Sequence, residues 1–213
     1  IDVMLRRAKE KYDLGFRCLK FKIGSKDFNK EMNLLKAMRA EFENTITMRV
    51  DANCAYTPDF YLQEVEPVLH SLDIHSIEQP VKVADVAGLT YCCAKSRVDI
   101  ALDESLIGTK SADEMAELLD TVKPQYIILK PTLCGGLSGA NQWIKTAKER
   151  GIGYWATSAL ESNVGLLAIA QWSSTIGVDI PQGLGTGMIY SNNIDKGLHI
   201  EGEKLWWKGT TGK

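Results

Sequence analysis

The chain has 213 residues, 45% hydrophobic and 24% charged, enough to bury one sizeable core in a single main domain. A formal net charge of −2, a pI near 6.0 and the lack of any basic cluster exclude the electrostatic footprint of a nucleic-acid or anionic-membrane binder, so a small-molecule partner is expected. Five cysteines (Cys18, Cys54, Cys92, Cys93, Cys134) form no C-x-x-C pair and fall mostly in apolar runs, which predicts reduced structural thiols.

In chain order, residues 2–14 predict a helix with Val3, Leu5, Ala8, Tyr12 and Leu14 on its apolar face. Ile1 opens directly on this charged amphipathic stretch, and no apolar run approaches the roughly 18 residues of a membrane span. A cytoplasmic protein is therefore expected. Seven short apolar runs follow, at 19–22, 47–51, 74–78, 100–103, 126–130, 154–158 and 178–183, and their last residues recur every 25 to 29 positions.

Helix-start chemistry lies between the runs. Thr57-Pro58-Asp59 supplies an N-cap, a proline at the first helical position and an early acid, and Ser111-Ala112-Asp113-Glu114 reads as a capping box. Gly151, after Lys148-Glu149-Arg150, reads as a helix terminator. The repeat is strand then helix, which predicts a parallel sheet, and about seven such units over residues 1–190 favour a TIM-like (β/α) barrel. An open doubly wound sheet is the competing arrangement, weakened because no G-x-G-x-x-G follows the first run. A barrel that opens on a helix implies a preceding strand outside this sequence. Residues 191–213 break the period, and Leu205-Trp206-Trp207 within them predicts a packed strand. Trp155 and Trp172 are expected in the core.

In a parallel barrel the chemistry sits at the carboxyl ends of the strands, where the βα loops converge. Those positions carry Lys22, Asp51, Glu78, Asp103 and Lys130 in order. With the run ending at Lys22 counted as the second strand, the acids fall on three adjacent strands, while the lysines occupy strands that oppose each other in a ring of eight. Three converging carboxylates repel one another unless they keep protons or bind a cation. A hard divalent ion, Mg²⁺, suits all-oxygen ligands, and zinc is disfavoured because no His or Cys ends these five runs.

These residues sit in Lys20-Phe21-Lys22, Asp51-Ala52-Asn53, Glu78-Gln79-Pro80, Asp103-Glu104-Ser105 and Lys130-Pro131 followed by Gly135-Gly136. In that order they resemble the muconate-lactonizing-enzyme-like subgroup of the enolase superfamily. The resemblance runs from the first helix to Pro181-Gln182-Gly183-Leu184-Gly185-Thr186-Gly187. It implies Mg²⁺ held by Asp51, Glu78 and Asp103, with Asn53 and Glu104 behind the ligands, and Lys22 and Lys130 flanking a carboxylate substrate as acid/base groups. Lys20, on the same side of its strand as Lys22, is expected to favour the neutral amine that a base requires.

The resemblance also implies an N-terminal capping domain, absent from this sequence, toward which residues 191–213 would pack. Within the superfamily it is nearest to the o-succinylbenzoate synthase family of menaquinone biosynthesis. The implied reaction is removal of a ring α-proton followed by loss of a hydroxyl, with Lys22 as base then acid and Lys130 stabilising the enediolate. Gly135, Ser158 and Ser162 are implied substrate contacts, with helix capping the alternative role for Ser162.

N-acylamino-acid racemases and dipeptide epimerases share the five motifs and form the alternative reading. Dipeptide epimerases usually carry Asp-x-Asp on the last strand, and Ile180-Pro181-Gln182-Gly183 has no acid. Mandelate-racemase-like subgroups need a histidine near the seventh strand, whereas His70, His75 and His199 lie elsewhere. An inactive barrel fragment is the alternative outside enzymology, and an oligomer is compatible with the sequence.

Overall fold

The computed structural model describes residues 1–109, 111–185 and 190–209 of the chain. Helix α1 (Asp2–Asp13) leads into six strand-helix units. They are β1 (Cys18–Lys22) with α2 (Phe28–Phe42), β2 (Thr47–Asp51) with α3 (Pro58–Phe60), a π turn (Tyr61–Val65) and α4 (Glu66–Ser71), and β3 (Ser76–Glu78) with α5 (Val86–Lys95). The remaining units are β4 (Asp99–Leu102) with α6 (Ala112–Val122), β5 (Tyr126–Leu129) with α7 (Gly136–Lys148), and β6 (Gly153–Ala156) with α8 (Asn163–Ser173).

All six strands are parallel, and their spatial order is their chain order. Each crossover therefore advances one strand in the same direction, which builds the arc of a barrel. A doubly wound sheet would reverse direction at a switch point. Side chains alternate between faces. Outward-facing residues such as Phe21, Val50, Ile77, Ile100 and Ile127 join the helices in the main core, while Ala101, Ile128 and Trp155 form a smaller cluster on the inner face.

The helices start where the loop chemistry places them. Asp27, Thr57, Asp85 and Ser111 each accept a hydrogen bond from the backbone N–H three residues on, at 3.1, 3.4, 2.8 and 3.2 Å. Gly151 turns the chain after α7 at φ 68°.

The strands end earlier than the apolar runs do. β4, β5 and β6 stop one or two residues short, so Asp103, Lys130 and Ser158 lie just past the last paired residue. The run at 178–183 does not form a full strand: it joins β6 through the Thr157–Gly183 bridge. Pro181 has no N–H to donate, and the Gln182 side-chain oxygen takes the Ala156 N–H at 2.5 Å in place of a backbone carbonyl.

In the tail, β7 (Leu198–Glu201) and β8 (Lys204–Trp207) pair as a separate antiparallel hairpin. Trp206 and Trp207 are about half exposed, at 48% and 49%, so the expected strand is present but neither ring is packed away. Trp155 and Trp172 are buried, as expected. All five cysteines are free thiols. Thr186 and Gly187 of the late motif lie outside the described residues. Among the described residues no helix is long and apolar enough to cross a membrane.

Candidate active site

Inner-face positions recur every two residues, so Lys20 and Lys22, Arg49 and Asp51, Ser76 and Glu78, and Ala101 and Asp103 stack in layers. The register sets their heights. Lys22 pairs with Asp51 and Asp51 with Glu78, whereas Glu78 pairs with Ala101, so Asp103 stands one layer above Glu78. This stagger is the shear that a tilted barrel requires.

Asp51, Glu78 and Asp103 are each 2% exposed. Lys20 bridges the first pair, with its Nζ 3.2 Å from Asp51 Oδ2 and 2.8 Å from Glu78 Oε2. Lys130 bridges the second pair, donating to Asp103 Oδ2 and standing 3.7 Å from Glu78 Oε1. Lys22, at the more exposed mouth, lies 3.7 Å from Asp51 and donates to Asn53 Oδ1 at 2.8 Å. Asn53 in turn donates to Glu104 Oε1 at 3.1 Å. Eight of the eleven residues singled out in the sequence thus form one connected network, and the row of carboxylates separates Lys22 from Lys130.

Electrostatics follows from burial and proximity. Burial alone would lower the Lys20 pKa, but attraction to Glu78 and then Asp51 outweighs it and holds the ammonium above its ordinary value. Burial also opposes the charge on Lys130, and the hydrogen bond and attraction to Asp103 again raise it. For Glu78 the balance reverses: lost hydration pushes the carboxyl up to about 7 against the pull of Lys20, and the charges of Asp51 and Asp103 add to the rise.

The donor set suits a hard divalent cation. Three buried carboxylates supply oxygen ligands only, and Glu78 Oε1 is buried without a hydrogen-bond partner. As the side chains are oriented, no three acidic, His or Cys groups among the described residues converge on one metal position. The bridging ammonium groups of Lys20 and Lys130 occupy the spaces between the carboxylates, because buried carboxylates draw in the nearest positive charge.

Gly135, Ser158 and Ser162 are not part of the network. Gly135 precedes α7 at φ 91°, and Ser162 occupies the N-cap position of α8 without a side-chain capping bond. Ser158 is buried, and its Oγ accepts from Leu160 N at 3.1 Å. All three lie on loops at the same end of the sheet as Lys130. None of the histidines does so: His70 is in α4, His75 just ahead of β3 and His199 in β7.

Three supporting residues have no assigned role in the motif reading. Gln79, fully buried, accepts from the N–H groups of Asp103 and Ser105 at 3.1 and 3.2 Å and donates to Ser105 Oγ and Val81 O. It ties the end of β3 to the end of β4. Arg49 stacks on Trp155 at 4.1 Å beneath the carboxylates, and its buried Nε has no partner. A charged residue two positions before Asp51 is the signal for its inward position. Glu31 accepts from the backbone N–H groups of Gly24, Ser25 and Lys26, which shapes the loop after Lys22.

A model of enolase C-terminal domain-like proteins matches residues 3–199. This chain belongs to the enolase C-terminal domain-like family. Among its relatives in that family, the o-succinylbenzoate synthase of Desulfotalea psychrophila is 47% identical over 203 residues, covering 95% of this chain and 55% of the relative. The hydrophobic dipeptide epimerase of Enterococcus faecalis is 34% identical over 149 residues, covering 68% of this chain and 41% of the relative. A crystal structure of MenC from Desulfotalea psychrophila superposes with a TM-score of 0.90 at 45% identity, covering 96% of this chain and 56% of that one. Muconate lactonizing enzyme from Pseudomonas putida, at 20% identity and a TM-score of 0.85 over 94% of this chain and 56% of that one, shares the enolase-type fold. The chain spans about half the length of the curated relatives it matches.

Proposed function

We propose that this chain carries the acid/base and metal-binding groups of an Mg²⁺-dependent o-succinylbenzoate synthase, a carbon–oxygen lyase of menaquinone biosynthesis acting in the cytoplasm. The observation that carries the chemistry is the single network in which Lys20 and Lys22 of β1 and Lys130 after β5 meet three buried carboxylates. Support for the substrate comes from the 47% identity to an o-succinylbenzoate synthase, against 34% to a dipeptide epimerase.

Asp51, Glu78 and Asp103 would hold the metal, with Asn53 and Glu104 next to them. When bound, Mg²⁺ offsets the negative charge that develops on the substrate carboxylate as its α-proton leaves. Lys22 takes that proton from the hydroxycyclohexadiene carboxylate. Lys130 remains protonated, and its ammonium stabilises the resulting enediolate electrostatically. Collapse of the enediolate then expels the hydroxyl from the neighbouring carbon. Lys22 returns its proton to the departing oxygen, so water leaves and the ring becomes aromatic. Gly135, Ser158 and Ser162, on the loops around the site, are the proposed contacts for the rest of the substrate.

Racemisation of N-acylamino acids or epimerisation of dipeptides uses the same two lysines and is the second reading, favoured by the similarity to epimerases and an N-succinylamino-acid racemase. The full gene product, supplied with Mg²⁺, is to be assayed on both the cyclohexadiene precursor and N-succinylamino acids. Turnover of the precursor supports the synthase, and turnover of the N-succinylamino acids alone overturns it. Lys22→Ala and Lys130→Ala should each lower kcat by at least about a hundredfold, as removal of general acid–base groups does, with Mg²⁺ affinity nearly unchanged.

A further inference from the structure

We propose that Asn53 is the positioning residue for Lys22, acting through a hydrogen-bonded chain Lys22–Asn53–Glu104 and not through the metal. The inference rests on the proposed role of Lys22 as base and adds what holds that base in place.

Lys22 is the least restrained of the three site lysines. Its side chain is 70% exposed, against 38% for Lys20 and 19% for Lys130, and it makes no carboxylate contact closer than 3.7 Å. A flexible four-carbon stem at an open mouth would sample many rotamers, whereas proton transfer needs the nitrogen within about 3.5 Å of the reacting carbon. The 2.8 Å bond to Asn53 Oδ1 restricts it.

Asn53 is suited to this by its chemistry. An ammonium group only donates and a carboxylate only accepts, so a side chain that bridges them must offer an acceptor on one side and a donor on the other. The carboxamide does so, and the two partners fix its orientation: Oδ1 toward Lys22 and Nδ2 toward Glu104 Oε1 at 3.1 Å. Aspartate in its place would put a second acceptor against Glu104. The backbone contributes as well. Asn53 has φ 43°, a left-handed conformation that asparagine tolerates better than most residues, and its own N–H donates to Asp51 Oδ1 at 3.2 Å. The backbone thus supports Asp51 while the side chain is directed away toward Lys22.

The variants Asn53→Gly, Glu104→Gln, Glu104→Ala and Asn53→Gly/Glu104→Ala test the chain in the full gene product. Glycine keeps the left-handed turn without strain and removes only the amide. Three readouts are needed: kcat and KM on the cyclohexadiene precursor, Mg²⁺ affinity by calorimetry, and the rate of reductive methylation of Lys22 by peptide mass spectrometry. Asn53→Gly should lower kcat by about ten- to a hundredfold, the scale of a misplaced reacting group. KM and Mg²⁺ affinity should stay within about twofold, and Lys22 should be methylated about three- to tenfold faster, the size of effect one hydrogen bond supports. Glu104→Gln keeps an acceptor for Nδ2 and should retain more of the rate than Glu104→Ala, and the double variant should be no worse than Asn53→Gly alone.

Unchanged methylation and kcat in Asn53→Gly, or losses that multiply in the double variant, would overturn the chain. A Glu104→Gln as damaged as Glu104→Ala would do the same, because charge and not the hydrogen bond would then matter. A Lys22→Ala control that kept wild-type turnover would instead remove the base assignment. Inactive Lys22→Ala with an indifferent Asn53→Gly would remove only the positioning role.

Discussion

Gly24 controls the turn that follows Lys22. Its φ is +82°, and a Cβ there would lie 2.3 Å from the Ala55 Cβ, a contact that neither short side chain can relieve by rotating. Gly24→Ala is therefore expected to lower unfolding stability by about 2–3 kcal/mol, as overpacking of a rigid contact does, measured by urea denaturation. Gln79 is the other position where one side chain holds two loops. Gln79→Leu leaves the N–H groups of Asp103 and Ser105 without acceptors, which should cost about 2–5 kcal/mol in the same measurement. Asp51, Glu78 and Asp103 were legible as candidate site residues because each ends a run in the 25–29-residue period. Gln79 was visible only as part of Glu78-Gln79-Pro80, since its partners Asp103 and Ser105 lie more than 20 positions away and become neighbours only when β3 and β4 pair.

Among the helices, α4 is fastened to the turn before β4 by Glu66. Its carboxylate is buried and accepts from Arg97 N, Nε and Nη2 at 2.8, 2.9 and 2.8 Å. The hydrogen bonds from the Arg97 side chain hold the Glu66 pKa below its ordinary value, against the cost of burial. A carboxyl whose folded pKa is depressed contributes stability that is present above its unfolded pKa of about 4.3 and is lost as pH falls through the lower folded value. Glu66→Gln should thus reduce the melting temperature at neutral pH and flatten its fall below about pH 4.3, read from thermal melts across pH. Strand and helix existence was legible from the alternation of apolar runs with caps such as Thr57 and Ser111. Strand ends were less so, because Asp103 and Lys130 extend the apolar runs in sequence while their backbones have already left the ladder. The run at 178–183 reads as a strand by composition, yet Pro181 lacks a donor and the Gln182 side chain takes the Ala156 N–H, so backbone pairing with β6 is confined to Gly183.

At the scale of the whole molecule, the carboxylates of three strands share one buried space, so a ligand that neutralises them should stabilise the barrel as a unit. Mg²⁺ at about a hundred times its dissociation constant is expected to raise stability by about 2.7 kcal/mol, seen as a higher melting temperature that chelation reverses. Asp103→Asn should reduce that shift. No shift in wild type would remove the proposed metal role of Asp51, Glu78 and Asp103.

By itself the sequence determined the repeating strand-helix unit, the parallel sheet and the charged residue that ends each of the first five apolar runs, because apolar period, cap chemistry and run-end position are local properties written in consecutive residues. Only the tertiary structure decided which charges touch. That Lys20 and Lys130 bridge the carboxylates, that Lys22 turns to Asn53, and that Asp103 stands a layer above Glu78 depend on the register between strands, and register is set by packing of all six at once.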